Sequence, residues 1–524
     1  MKKKNKKEKK FIKRDHLENQ IEEGKGFLSK AREEIINHRV IYLILGIILA
    51  VSAFLRLYRL DKLLGFWYDQ GRDALVIWDL IHYGKFFLIG PVTGIEGIFL
   101  GPFYYYLLAP LYFLGNGSPV FAAAGLIWLT VGAIFLIYLL GKEVYNREIG
   151  LIAAFLYGLS YSLVTFSRWL SNPQPLPFFT LVVLLFLYFF VVKKKDWFLA
   201  PAAFFVGLCL QLEAASAVFF LPTILIILLW QYRIFKKIHI LGFSLILFLL
   251  TLLPQIYFNF RHDGILLTAF KRFLLEEKSF GFSLAEIIKA RIILYYDVYF
   301  SWLFAEPKEL RPVSLGIFII SLIFGLKKLL NDGGKLLAFW FLVPMVGFLF
   351  YRGNHGYVWG YYFTGYLPAF VIFFSAGLYF LLKKFKLFSL LVLFYFSFFA
   401  FFNLNSLVKF YDMGIGITLG AQLKAIDWIY KNVGKEEFNI DVYVPPQIYY
   451  SYSYLFKWYG NQKYKREPQT KLVKNLYTLY EQDYEHPQFL EAWLKRQETI
   501  GKILEETEWG GVTVQKRERI KYED

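Results

Sequence analysis

Apolar blocks close to twenty residues long recur from Val40 to Asn403, broken by short polar or basic stretches. A block of that length crosses the roughly 30 Å hydrocarbon core as a helix. Lipid offers the backbone no water to bond, so each block must satisfy its own amides and is helical. These two facts dictate an all-α polytopic membrane protein before any motif is read. The overall composition, 57% hydrophobic and 21% aromatic, fits nothing soluble of ordinary kind.

The net charge of +18 raises nucleic acid as a partner, but its distribution excludes that reading. Nine of the first fourteen residues are Lys or Arg. The other basic clusters are Lys193 to Lys195, Arg233 with Lys236 and Lys237, Lys327 with Lys328, and Lys383, Lys384 and Lys386, all abutting apolar blocks. From Leu404 onward acids and bases balance. This is the cytoplasmic bias of a membrane protein, and the basic N-terminal segment suits contact with anionic membrane lipids. It is too long for a cleavable signal, and no small-residue cleavage site follows it.

The bias also fixes a topology. The first span, about 40–55, starts in the cytoplasm because of its basic flank. Tyr104 to Leu114 is only about eleven apolar residues between glycine breaks, which suits a re-entrant or interfacial helix. If it does not cross, the further spans are 118–141, 148–166, 174–192, 197–212, 214–230, 238–258, 312–326, 335–351, 361–382 and 387–403. That makes about eleven, with every basic cluster inside. If it crosses, all those clusters fall outside. The first arrangement is therefore expected, in a cell (cytoplasmic) membrane. It divides the chain into a basic cytoplasmic segment 1–39, a membrane domain 40–403 and an extracytoplasmic domain 404–524. In the last, Leu419 to Tyr430 has helical spacing and Phe438 to Val444 alternates as a strand. The Tyr-rich run to Trp458 reads as a helix and Gly511 to Val514 as a late strand, together a small α/β domain.

Cys209 stands alone inside an apolar block, so no disulfide or cysteine metal site forms within the chain. Seven histidines show no ligand spacing; an oxygen-ligated divalent cation stays open. The loops assigned outside carry the polar residues. Tyr68-Asp69-Gln70-Gly71-Arg72-Asp73 places two carboxylates and an Arg at the membrane boundary, where ionisable groups mark function by default. Asp69 reads either as a general base or as a partner of Arg72 and helix cap; Asp73 reads as a first-turn acid. Arg168 reads as a phosphate ligand or an interfacial anchor beside Trp169, and Asn172 before Pro173 as substrate-binding or a helix start. Glu213 lies alone between two blocks. Arg261 and His355 can each meet a lipid phosphate or solvent. Tyr104 and Tyr362 belong to aromatic belts that can also stack on sugars.

Taken in order, the acidic first loop, the aromatic stretch Gly101 to Pro110, the Ser167-Arg168 pair with Asn172, and His355 to Tyr357 followed by Tyr366-Leu367-Pro368 resemble the GT-C superfamily of integral-membrane glycosyltransferases. The likeness is to the bacterial branch related to protein O-mannosyltransferases and aminoarabinose transferases. It implies transfer of a sugar from a polyprenyl-phosphate donor to an unidentified acceptor (protein, lipid or envelope glycan) outside the cytoplasmic membrane, with inversion. It also implies Asp69 as base and Arg168, His355 and Arg261 on the donor phosphate. Asp73, Glu96, Asn172, Glu213, Tyr104 and Tyr362 are further substrate-binding candidates. The sequence departs from the family pattern at Gln70, where a second acid is common, at Gly101 to Phe103, where His-Pro-Pro is common, and at Asn172, where an acid is common. Two rival readings remain at this point, a transporter of a lipid or small molecule and a non-catalytic envelope-glycan assembly factor.

Overall fold

The computed structural model describes residues 27–275, 283–351, 357–445 and 448–521. Its first long helix, α1 (Arg39–Leu57), is followed by α2 (Tyr68–Tyr83), α3 (Phe103–Leu114) and α4 (Pro119–Val144). Among the described residues seven helices are long and apolar enough to cross a membrane, and the bent pair Arg147–Leu159 and Tyr161–Ser167, at 65°, makes an eighth if it is one span. The three remaining expected spans correspond to shorter apolar helices, Leu176–Val191, Asp196–Leu212 and Ala214–Trp230. The first two pack inside the protein, where Leu181, Val183, Leu184, Leu187, Val206 and Leu212 are buried.

The helix ends sort into two levels. At one, Glu34 takes a two-bond clamp from Arg147 (2.9 and 2.8 Å) and an ion pair from Lys142 (2.9 Å). Arg147 and Lys142 together pull the Glu34 carboxyl down to about 2. Asp196 pairs there with Arg233 and Lys237. This is the basic end foreseen from charge bias.

The opposite end carries the C-terminal domain. Helix α3 begins there, where Phe103 N donates to Gln211 Oε1 (3.1 Å). It also ends there, where Gly117 O accepts from Tyr454 OH (2.6 Å). Both ends of α3 therefore lie at one level, so the helix does not cross. Pro110 inside it and Gly115 after it match a short, interrupted element.

The long helix Lys386–Met413 leads into a four-stranded sheet of order β1-β2-β4-β3. In it β1 (Phe438–Tyr443) runs parallel to β2 (Asn475–Glu481), while β3 (Gly501–Trp509) and β4 (Val512–Arg519) pair antiparallel. The foreseen strands are β1 and the start of β4. The Tyr-rich run is a short helix, Tyr450–Leu455, that widens into a π-helix over Phe456–Tyr464.

This domain is docked on the loop between α1 and α2. Leu419 N donates to Leu64 O (2.7 Å), Gln422 Nε2 to Phe66 O (3.1 Å) and Trp67 Nε1 to Ile417 O (2.7 Å). Helix α2 touches Tyr450–Leu455 so closely that a Cβ at Gly71 would lie 2.2 Å from Ser451 N. Backbone cannot yield there, so Gly71→Ala is expected to cost about 1–3 kcal/mol. The measurement is thermal denaturation of the detergent-purified chain, and an unchanged midpoint would show that the two elements are not held in this contact.

Candidate active site

Helix α2 starts where Gln70 folds back, its Oε1 accepting from Trp67 N (3.0 Å). Gln70 is buried and engaged in capping, which explains why an amide at the position of the family's second acid is compatible with this fold. The cap leaves Asp69 and Arg72, three residues apart, on one helix face. Arg72 bridges two acids: Nη1 donates to Asp69 Oδ1 (2.7 Å), Nε and Nη2 to Asp73 Oδ1 (2.9 and 2.7 Å). Asp73 is turned inward, where Tyr105 OH also donates to it (3.1 Å). Burial lifts its carboxyl to about 6 against the pull of Arg72.

Asp69 and Arg72 open on a cavity of about 1120 Å³, its open mouth included. The loop Val92 to Ile98 forms one wall, Trp169 to Pro173 another, and Glu213, Tyr351, Tyr361 and Tyr362 a third. Asn172 holds the last wall to the second, donating to Leu212 O (2.6 Å) and Glu213 Oε2 (3.4 Å). Glu213 caps the short helix after it. Burial raises the Tyr361 phenol, and the Glu213 and Asp69 carboxylates raise it further, so both acids act on one ring.

Of the residues singled out in the sequence, Asp69, Asn172, Glu213 and Tyr362 line this cavity. Arg168 does not. Its guanidinium is buried and donates to the carbonyls of Arg56 (2.7 Å), Tyr58 (2.9 Å) and Arg59 (3.4 Å), so it ties the end of α1 rather than facing a ligand. Arg261 is exposed at a helix end, outside the lining. Glu96 points to solvent and pairs with Arg272 (3.3 Å). Asp73 and Tyr104 are buried behind the wall. His355 lies outside the described residues, four positions after the cavity-lining Tyr351. Cys209 is free and buried, as its place in an apolar block suggests. Among the described residues no three His, Cys, Asp or Glu side chains converge as a metal set. Arg72, Trp169 and Tyr361 were not singled out as cavity residues. The three-residue spacing from Asp69 to Arg72 was the one sequence signal available for them.

A second cavity, about 1180 Å³, is lined only by aromatic and aliphatic side chains, among them Tyr295, Phe300, Leu315, Phe318, Leu330, Phe341 and Met345. It follows the helix Leu310–Leu329 for about 22 Å, from Leu315 to Leu330. Met345 in its wall lies six residues before Tyr351 of the first cavity, near the end of the helix Asp332–Leu349. An apolar groove thus reaches toward a polar cavity that holds two carboxylates and a guanidinium.

A sequence profile described as dolichyl-phosphate-mannose-protein mannosyltransferase matches residues 100–258, which hold α3, Asn172 and Glu213 but not Asp69. The crystal structure of ArnT from Cupriavidus metallidurans in the apo state is similar with a TM-score of 0.58 at 11% identity, covering 93% of this chain and 98% of that one. The chain has a GT-C fold. ArnT bound to undecaprenyl phosphate gives a TM-score of 0.53 at 12% identity, over 92% and 98%. The archaeal oligosaccharyltransferase AglB from Archaeoglobus fulgidus, in complex with an inhibitory peptide and a dolichol-phosphate, gives 0.50 at 14% identity, over 89% and 73%. No curated protein matches the chain in sequence.

In the Asp69–Arg72 cavity burial lifts the Glu213 carboxyl to about 7. Between the ordinary carboxylate value and about 7, the folded chain holds a proton that the unfolded chain has released. Stability therefore falls as pH rises through that window. Glu213→Gln removes the titration. The variant is expected to match the parent near pH 4 and to be more stable by on the order of 1–3 kcal/mol near pH 8. Thermal midpoints at the two pH values check this; an equal difference at both refutes the raised carboxyl.

Proposed function

We propose that the chain is a glycosyltransferase that moves a sugar from a polyprenyl-phosphate donor to an acceptor at the outer face of the cytoplasmic membrane. The observation that carries this reading is the pairing of the Asp69–Arg72 cavity with an apolar groove whose wall residue Met345 lies six positions before the cavity-lining Tyr351. One holds polar chemistry at a membrane boundary, and the other suits a prenyl tail. The GT-C fold supports it, as does the matched family description. So do the polyprenyl phosphates in the ArnT and AglB structures. The basic clusters at the far end support an outward-facing cavity. A transporter would gather its polar groups near the midplane, whereas Asp69, Arg72, Asn172 and Glu213 gather at one end.

In the proposed reaction the tail lies in the apolar groove and the donor phosphate enters the cavity beside Arg72. Arg72 takes over the place first assigned to Arg168, because it faces the cavity and keeps a planar donor fork. His355 remains a second phosphate ligand in this reading. Asp69 has Oδ1 on Arg72 and turns its other oxygen to the acceptor. The acceptor proton passes to Asp69 as the acceptor atom attacks the anomeric carbon. The carbon–oxygen bond to phosphate breaks, and polyprenyl phosphate leaves with the electron pair and with inversion. Arg72 stabilises the charge that develops on the leaving phosphate. Asn172 and Glu213 position the sugar, and Tyr361, Tyr362 and Trp169 give it flat walls.

The direct test is purified protein in proteoliposomes with a panel of radiolabelled polyprenyl-phosphate sugars and crude envelope acceptors. Consumption of one donor with release of polyprenyl phosphate supports the reading. No consumption of any donor by protein of verified fold refutes it.

A further inference from the structure

The far half of α2 opens on a third cavity, about 870 Å³, between α2, the turn after α3 and the π-helix of the C-terminal domain. We propose that this cavity, with Trp78, His82, Trp458, Asn461, Gln462 and Lys465 in its walls, is a carbohydrate-binding subsite. The binding chemistry stands on the geometry of the cavity itself, while its role as a rest for a glycan acceptor rests on the transferase reading above.

Two stacked aromatic pairs wall it. Trp78 and His82 lie 3.8 Å apart at 16°, and Tyr454 and Trp458 lie 6.1 Å apart at 17°. The edges of the second pair are already bound. Trp458 Nε1 donates to Asn116 O (2.9 Å) and Tyr454 OH to Gly117 O (2.6 Å). Gly117 has φ +81°, and a Cβ there would lie 2.4 Å from Trp458 Cδ1, so the turn accepts only glycine. The edge bonds fix the rings, and the cavity is built rather than incidental. The π-helix contributes Trp458, Asn461, Gln462 and the adjoining Lys465 together; such wide helices recur at functional sites.

The polar groups suit hydroxyls. His82 Nδ1 meets Trp78 O at 3.0 Å, and a carbonyl only accepts, so Nδ1 is the donor. Its other ring nitrogen, Nε2, is available to a hydroxyl. Amides at Asn461 and Gln462 both donate and accept. A pyranose ring offers an apolar C–H face and an edge of hydroxyls, which matches aromatic walls with an amide rim. A prenyl tail fits worse, since the apolar groove already described has no such rim. A phosphate fits worse too: among the described lining residues Lys465 is the one cation. The neighbouring Lys457 sits over the rings of Trp78 and Tyr83, at 5.9 and 5.7 Å.

Position adds to the case. Phe86, Phe113 and Leu114 next to the cavity are 80%, 68% and 69% exposed, an apolar collar at the level where a lipid-anchored glycan would stand. From Asp69 to His82 the helix rises about 20 Å. A sugar held here is not the one reacting; it belongs to an extended acceptor whose other end reaches Asp69.

The test is equilibrium binding to the full-length detergent-purified chain, without donor, by saturation-transfer NMR. The probes are neutral trisaccharides of glucose, mannose and N-acetylglucosamine, with anionic phospholipid vesicles as a separate arm. The expected result is saturable binding of at least one trisaccharide. His82→Ala and Gln462→Ala, both at exposed side chains, each weaken it about fivefold, the worth of one hydrogen bond. Trp78→Ala weakens it more, and Asp69→Asn still binds. The proposal is overturned if no trisaccharide binds saturably, if binding is indifferent to His82→Ala and Gln462→Ala, or if only the vesicles respond to them. With no donor present, these outcomes are independent of whether the chain transfers sugar.

Discussion

Asp69→Asn is expected to stop sugar transfer while leaving the chain folded. The side chain is 54% exposed and its ion pair to Arg72, at 2.7 Å, lies at the cavity surface. Exposed pairs contribute about 1 kcal/mol at most, and the asparagine oxygen still accepts from Arg72. Shape and contacts therefore persist. What disappears is basicity: an amide cannot take the acceptor's proton in the transition state. Loss of a positioned general base lowers turnover by about 10²–10⁴. Arg72 keeps its bonds to Asp73, so donor binding is spared and the loss falls on kcat. Initial rates in proteoliposomes, with a thermal melt as control, decide the matter. Turnover within about tenfold of the parent would remove Asp69 from the chemistry.

Arg72→Ala is expected to damage both stability and donor binding. Arg72 stands between two acids, and the side chain of Asp73 is only 5% exposed. Removing the guanidinium leaves a buried carboxylate with Tyr105 as its remaining side-chain hydrogen-bond donor. Breaking a buried pair in this way costs about 3–5 kcal/mol. Protonation relieves part of it, because burial already holds the Asp73 carboxyl near 6. The sign follows. A group raised in the folded state is stabilising below its unfolded value and loses that contribution as pH rises through its folded value. Without Arg72 the folded value moves higher still. The variant therefore falls little behind the parent at about pH 4 and furthest behind at about pH 8. Donor affinity falls by more than about tenfold, and Arg72→Lys recovers only part of it, since a point charge lacks the planar fork. Arg168→Lys is the control: it disturbs the carbonyls at the end of α1 and lowers the melting temperature, with donor affinity kept. Equal donor affinity in Arg72→Ala and the parent would return the phosphate to another group.

The contrast between these two arginines shows what was legible. Both stand at a membrane boundary beside aromatic residues, but only Arg168 reads from sequence as an anion ligand, while Arg72 reads as the partner of Asp69. Sequence spacing ties Arg72 to Asp69 on one helix face, but nothing local says that Arg168 will meet three backbone carbonyls of a segment about 110 residues earlier. Gln70 teaches the same lesson in reverse. As a departure from the family pattern it seemed a missing acid; in the fold it is a buried cap on the helix that presents Asp69. Asn172 and Glu213 were separate candidates about forty residues apart, and packing makes them neighbours at 3.4 Å.

The sequence alone was enough for the membrane class, for α3 not crossing and for the gathering of polar loops at one end. These follow from properties that act locally or sum along the chain: the length of an apolar run, the absence of backbone partners in lipid, and the bias of basic residues. Tertiary structure alone decided which polar residues share a cavity, how the apolar groove reaches toward it, and that the C-terminal domain clasps α2 through Gly71. Those depend on contacts between residues far apart in sequence, where a side chain's role is set by the partner it meets and not by its own chemistry.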